Sequence, residues 1–306
     1  MYAIETTKLC KQYDRKRALD NVDIHVKKGD VYGFIGRNGA GKTTTINILL
    51  SLIHKSEGNV KINDKEVVFN DQHYKRTIGF VPDVPVFPNY MNAKEYITYT
   101  CDMFDIPREA IPQKVQEVLQ FVDLHDHKKR IGAYSRGMKQ RLAIAQALVH
   151  DPEIIIMDEP TSALDPIGRK DVMNIILKLK GTKTIFYSTH ILEDVEKVCD
   201  HIGLIDNGTL LLEDSIENIQ KNYYQNQMLI TTKEDSTTVF EFLEQQSIQN
   251  TIEKHKNGII CETNGAQTAQ DVLKVLVDNG FTIQEFKRVN ATLEDVFIKV
   301  TNEKTT

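Results

Sequence analysis

The chain has 306 residues, of which 41% are hydrophobic and 26% charged, with a net charge of -5. Its length allows two domains, or one large domain with an appendage. Its composition excludes a disordered chain, and its acidic balance argues against a broad basic surface for duplex nucleic acid. The apolar runs are short, as in Ile154–Met157 and Leu210–Leu212. A membrane-spanning helix needs about 20 apolar residues, so the chain is not expected to cross a membrane. The opening MYAIETTKLCKQYDRK has no basic-then-apolar signal, and a cytoplasmic location is the expectation. Cys10, Cys101, Cys199 and Cys261 form no CxxC pair. Reduced thiols are expected, with neither a zinc site nor a disulfide framework. His125 and His127 lie two apart, and such side chains diverge on a helix. A solvated charged segment is expected there.

In chain order, IETTKLCKQY, ALDNVDIHVKKGD and GNVKINDKEVVF alternate apolar with polar residues. That pattern predicts an antiparallel sheet with one wet face. VYGFIG followed by NGAGKTTTINILLSLI reads as a buried strand, a tight turn and a helix. AKEYITYTCDMF, AIPQKVQEVLQFVDL and RGMKQRLAIAQALVH carry apolar residues three and four apart, which predicts a helical insert over about 84–150. EIIIMDEP and KTIFYSTH are short runs rich in β-branched residues that end in polar clusters. Buried parallel strands look like this where they meet a site. The alternation places an α/β domain over 1–215. Over 216–306, MLITT, GIICET and FTIQEF read as strands, with TVFEFLEQQ and AQDVLKVLVDNG as helices. This is a small second α/β domain, regulatory or dimer-stabilising.

Gly36, Arg37, Asn38, Gly39, Ala40, Gly41, Lys42 and Thr43 fit GxxxxGK[ST]. Glycines let the backbone curl so that successive N–H groups face an anion, and the following helix aims its positive end at it. Lys42 can reach the β- and γ-phosphates, and the Thr43 hydroxyl can ligate Mg²⁺. Thr44 adds a second hydroxyl. The strand before and the helix after supply the context that the motif requires. A second acidic site follows in Ile154–Glu159. There Asp158 is placed to hold Mg²⁺ and Glu159 to accept a proton from attacking water.

With Tyr134, Ser135, Arg136, Gly137 and Met138 followed by LAIAQAL and DPEIIIMDEPTSALD, the sequence resembles the nucleotide-binding subunit of an ABC transporter. The resemblance covers about Tyr2 to Asp214, and more weakly the tail. It implies an ABC-type P-loop ATPase core with an antiparallel β subdomain and a helical insert. It also implies ATP and Mg²⁺ as ligands, and Tyr13 as the aromatic that stacks on adenine. Ser135, Arg136, Gly137 and Met138 correspond to the signature that contacts the opposite subunit's ATP. Ser162, Ala163, Leu164 and Asp165 correspond to the loop between the two ATP sites, and His190 to the switch histidine at the γ-phosphate. The family works as a head-to-tail dimer, of identical or similar chains, beneath a membrane-spanning subunit on the cytoplasmic face.

Two motifs depart from the family pattern, at three positions. Arg136 replaces the first Gly of the signature and Met138 its Gln. Asp83 replaces the Gln that touches Mg²⁺ and water, and a carboxylate can still bind that metal. Asp83, GRNGAGKTTTI and the tail segment Ala291–Phe297 resemble the branch that serves simple two-subunit exporters, including those for peptide antibiotics, so that export of a peptide antibiotic, a drug or a lipid-like molecule is expected. Three alternatives stay open. One is a soluble translation factor of the superfamily, though such chains carry two cassettes. Another is a DNA-repair or chromosome ATPase, though those split the cassette with a coiled coil. The third is a cassette that only binds nucleotide.

Overall fold

The computed structural model describes residues 1–14, 16–69, 74–125, 129–223, 227–245, 252–255, 258–262, 266–289 and 293–303. His127, Ala291 and Thr292 lie outside the described residues. The chain divides into two compact units, Met1–Ile216 and Glu217–Thr306.

The first unit begins with strands β1 (Tyr2–Tyr13) and β2 (Lys16–Lys27), then β3 (Val31–Ile35) and helix α1 (Lys42–Leu49). Strands β4 (Glu57–Ile62), β5 (Lys65–Glu66) and β6 (Ile78–Val81) follow. Helices α2 (Ala93–Met103), α3 (Ile111–Phe121) and α4 (Arg136–Leu148) form the helical stretch. The unit then runs through β7 (Ile154–Asp158), α5 (Pro166–Leu179), β8 (Thr184–Thr189), α6 (Leu192–Val198), β9 (His201–Asp206) and β10 (Thr209–Ser215). Helix α7 (Ile216–Tyr223) comes next in the chain.

Two sheets build this unit. One has the order β2-β1-β4-β5 and is antiparallel. The other has the order β10-β9-β3-β8-β7-β6, parallel from β9 to β6, with β10 antiparallel at its edge. Every residue of β3, β7 and β8 is buried, as strands covered on both faces must be. Tyr32, Phe34 and Phe186 pack at their centre, with ring centroids 5.6 and 5.3 Å apart. Glu213 on β10 accepts from the Tyr32 hydroxyl at 2.8 Å and from the His25 N–H at 2.7 Å. One carboxylate thereby ties β10 to β3 and β2, and burial followed by that negative charge holds the Tyr32 phenol well above its ordinary value.

Helix starts follow local chemistry. Asn92 and Glu95 form a reciprocal capping box on α2. Ser135 caps α4 by accepting from the Met138 N–H at 3.2 Å, and Asp165 caps α5 through Gly168 at 3.0 Å, ahead of Pro166.

The second unit contains β11 (Gln227–Thr232), α8 (Ser236–Gln245), β12 (Ile252–His255), β13 (Gly258–Glu262), α9 (Ala266–Asp278), β14 (Ile283–Val289) and α10 (Leu293–Glu303). Its sheet order β12-β13-β11-β14, antiparallel throughout, is the split βαβ or ferredoxin-like arrangement. Ile230, Val239, Leu243, Ile259 and Val272 lie in its core. Among the described residues no helix is long and apolar enough to cross a membrane.

His150 joins the helical stretch to the parallel sheet. It stacks on Phe104 with 4.0 Å between ring centroids, and its Nε2–H donates to the Ile78 carbonyl at 3.1 Å. Burial is the larger influence and holds His150 below its ordinary 6.5, although the carbonyl favours the charged ring. The unfolded chain therefore binds a proton that the native chain resists, so this group's contribution to stability is lost as pH falls below about 6.5. His150→Phe keeps the ring stack and removes the titration. Chemical denaturation should show a shallower loss of unfolding free energy between pH 7 and pH 5 in the variant. At pH 8 the variant should be about 1 kcal/mol less stable for want of the hydrogen bond.

Candidate nucleotide site

The chain leaves β3 at Ile35 and curls around to α1. Gly36 has no room for a side chain, since a Cβ would stand 2.4 Å from the Ile205 carbonyl oxygen. Gly41 sits at φ +116, where a Cβ would meet Leu19 Cδ2 at 2.7 Å and the Ala18 oxygen at 3.0 Å. Left-handed backbone and close approach together demand glycine. The curl turns Lys42 inward until it is 6% exposed. Its ammonium donates to the Gly36 and Arg37 carbonyls at 2.7 and 3.2 Å. It also pairs with Glu159 Oε1 at 3.1 Å, without hydrogen-bond alignment.

Strand β7 delivers the two carboxylates. Asp158 accepts from the Thr43 hydroxyl at 3.0 Å and from the Ser188 hydroxyl at 2.6 Å. Glu159 adopts φ +48, a left-handed conformation that costs a non-glycine residue roughly 1–2 kcal/mol. Its N–H donates to the Ser188 carbonyl at 3.0 Å, which holds the kink in place. The kink swings the carboxylate off the strand line, so that one oxygen faces Lys42 and the other lies 2.8 Å from His190 Nδ1. The His190 Nδ1–H is thus the donor, and Nε2 remains as acceptor or second donor according to the ring's charge.

These groups border a cleft of about 730 Å³ lined by Tyr13, Asn38, Gly39, Gly41, Lys42, Thr43, Thr44, Asp83 and Glu159. That volume suits a nucleotide-sized ligand. Lys16, Arg17, Ala18, Asn207 and Gly208 line it too, and motif reading did not find them. Lys16, Arg17 and Ala18 arrive with β2, beside Tyr13 at the end of β1. Asn207-Gly208 is the β9–β10 turn, legible as a turn from NG, but its docking is tertiary. The Gly208 N–H donates to the Ala40 carbonyl at 2.9 Å, and its own carbonyl accepts from the Asp20 N–H at 2.8 Å. The turn therefore braces the phosphate loop from behind.

The other predicted residues fall outside the cleft lining. Arg37 and Ala40 belong to the loop, and Asp158 and His190 stand behind it as described. Ser135, Arg136, Gly137 and Met138 start α4, where Gly137 lies close to Gly168 of α5. Ser162, Ala163, Leu164 and Asp165 make the turn from β7 to α5, with Ala163 at φ +52. Two of the three positions that depart from the signature and Gln patterns meet each other. Asp83 Oδ1 lies 3.6 Å from the Arg136 guanidinium and accepts from the Ser162 hydroxyl at 2.9 Å. Asp83 thus links cleft, signature helix and the loop beyond Glu159.

Comparison with known proteins agrees with this geometry. The ABC transporter family model matches residues 19–162, and the model for the C-terminal domain of DrrA1-3-like ATP-binding proteins matches residues 215–301. The bacitracin transport ATP-binding protein BcrA of Bacillus licheniformis is 38% identical over 97% of this chain and 96% of its own length. The protein of the same name from Enterococcus faecalis is 32% identical, over 98% of this chain and 96% of its own. The chain belongs to the ATP-binding proteins of ABC transporters. Within that family it falls in the DrrA- and BcrA-like branch. Such an ABC ATPase binds ATP and hydrolyses it to power transport, as a subunit of a transporter complex. Among solved structures, the ATP-binding cassette MJ0796 is a dimer in a post-hydrolysis state bound to ADP and Pi. It is 26% identical, with a TM-score of 0.63 over 70% of this chain and 98% of that one.

The bracing turn gives a direct test. Gly208 and Gly181 share φ +80, but a Cβ on Gly208 would lie 2.6 Å from the Ala18 oxygen, whereas Gly181 has nothing within 4 Å. Gly208→Ala is expected to lose about 1–3 kcal/mol and to weaken ATP binding. Gly181→Ala should lose about 1 kcal/mol and bind ATP as the parent does. Thermal unfolding and nucleotide titration of the two variants check the difference.

Proposed function

We propose that this ABC ATPase hydrolyses ATP with Glu159 as general base and His190 as the γ-phosphate contact, at a site completed by a second cassette. The arrangement that carries the reading is the Glu159 carboxylate, held between Lys42 and His190 beside Asp158 and Thr43. Tyr13 stacks on the adenine, while Gly36 to Thr44 wrap the phosphates with backbone N–H groups. As the Lys42 ammonium moves onto the β- and γ-phosphates, Glu159 Oε1 becomes a free acceptor for a water proton. Water oxygen then attacks the γ-phosphorus in line, the bond to the β-phosphate bridging oxygen breaks, and ADP and phosphate result. The proton taken by Glu159 leaves with the products.

Among the described residues no cluster of three or more His, Cys, Asp or Glu side chains could cage a metal by itself. That fits Mg²⁺, which takes one or two protein oxygens and fills its shell with phosphate and water. The Thr43 hydroxyl and Asp158 are the hard oxygens that would hold it, with Asp83 as a further carboxylate at the cleft. Mg²⁺ when bound neutralises charge on the β- and γ-phosphate oxygens.

Ser135 and Gly137 point to the second cassette. They lie outside their own chain's cleft, at the positive end of α4, where a phosphate from a partner would be welcome. Ser162 to Asp165 belong to the same proposed interface, formed by two identical or two similar chains. Closure of two chains excludes water from the γ-phosphate and completes its cage. Val84, Val86, Tyr90, Tyr99 and Met103 are exposed apolar residues in the segment from Asp83 through α2. They form the proposed seat for a membrane-spanning subunit, with the ATPase on the cytoplasmic face. The BcrA relatives support a peptide antibiotic as the exported cargo.

Glu159→Gln keeps the shape of the side chain and removes the base. ATP turnover should fall by about 10²–10⁴-fold while ATP binding is retained. Size-exclusion chromatography should then show a dimer that persists only with ATP. Turnover equal to that of the parent would assign the base elsewhere.

A further inference from the structure

The Asp194 carboxylate is 1% exposed. Both its oxygens accept from Arg169 Nε, at 2.8 and 3.0 Å. The Thr161 hydroxyl donates to it at 2.9 Å, and the Tyr187 hydroxyl reaches it at 3.4 Å. Thr161 and Tyr187 also touch each other at 3.2 Å. Asp194 is on α6, Arg169 on α5, Tyr187 on β8, and Thr161 in the turn after β7. Four separate pieces of chain therefore converge on one buried negative charge.

Stability alone does not account for such a pair. Desolvating two charges offsets their attraction, and apolar residues of similar volume often serve as well or better. Its placement does account for it. Thr161 stands two residues beyond Glu159, and Asp194 four beyond His190. Tyr187 stands three before His190. The carboxylate thus clamps the loop that carries the proposed base to the loop that carries the γ-phosphate contact. Glu159 is strained at φ +48 and His190 is about half exposed. Ser188 holds the Glu159 backbone from one side, and the course of both loops beyond these two residues depends on what lies behind.

We infer that Asp194 and Arg169 are positioning residues for ATP hydrolysis, their ion pair, buried on the carboxylate side, setting the reach between the Glu159 carboxylate and His190. The inference rests on the assignment of Glu159 and His190 made above. A shift of about 1 Å in a reacting group costs on the order of 10²-fold in rate, so the clamp acts on turnover rather than on nucleotide affinity.

The test replaces both charges together, as Arg169→Met with Asp194→Leu, so that no buried charge is left alone. Melting temperature, ATP affinity by fluorescent-nucleotide titration, KM and kcat are measured on the full chain, with Glu159→Gln in the same series. The expected result is a melting temperature near the parent's, ATP affinity and KM within about three-fold, and kcat lower by about 10- to 100-fold. Parental kcat in the folded double variant overturns the clamp. Thr161→Val removes one hydroxyl and leaves the charge pair whole, so it reads the same question if the double variant does not fold. Its kcat should fall by about 3- to 10-fold at unchanged KM, and an unchanged kcat again overturns the inference. If Glu159→Gln turns over like the parent, the site assignment fails. If it is inactive while the double variant is not, only the clamp fails.

Discussion

The structure of the site depends on burying one ammonium. Lys42 lies in the bend between β3 and α1, 6% exposed, and a charge so placed must be met by acceptors. The Gly36 and Arg37 carbonyls supply two, which the loop can present only by curling through glycine conformations. Glu159 supplies the opposite charge at 3.1 Å, and reaches it only because β7 ends in a left-handed kink. The parallel sheet is thus more than a scaffold. Adjacent strands β3, β8 and β7 end at the same edge, so the loop, His190 and both carboxylates share a few ångströms of space. Tightening one strand end against the next is what makes a charge network there possible.

Much of this was legible in the sequence because the chemistry is contiguous. A phosphate loop has to be one turn, so its residues sit side by side, and the polar ends of EIIIMDEP and KTIFYSTH announced the sheet edge. What was not legible depends on pairing between distant strands. Lys16, Arg17 and Ala18 reach the cleft because the β1–β2 hairpin folds over it, and Asn207-Gly208 because β9 pairs with β3. The turn itself was readable from NG, but its contact with Ala40 was not. Strand β12, IEKH, is short, with three of its four residues polar, and gives no alternation to detect. The βαββαβ order of the second unit emerges only from the strand order of its sheet.

Asp83 and Arg136 show the same limit from another side. Each reads alone as a departure from the signature or the Gln position. Together, at 3.6 Å, they are a charge pair that joins the cleft lining to the start of α4. Gln140 on the same helix adds a bond to the Pro82 carbonyl at 3.3 Å. A neutral residue at both positions would leave α4 held there by Gln140 and packing, so the two substitutions are better understood as one exchange of contacts than as two separate losses.

The chain therefore holds its site with two arginine–aspartate pairs of opposite energetic kind. Arg136–Asp83 is about half exposed on both sides. Such a pair is worth about 0–1 kcal/mol and exchanges readily with water or with another anion. In Arg169–Asp194 the carboxylate is buried and accepts from Arg169 Nε and from Thr161, and removing the arginine would strand a buried charge at a cost of about 3–5 kcal/mol. The weak pair lies between the helical stretch and the cleft, the strong one behind Glu159 and His190. The proposed closure around a phosphate would use this asymmetry. In that cycle the exposed contact is the inexpensive one to break, and the proposed clamp is the one that would stay intact while the other breaks.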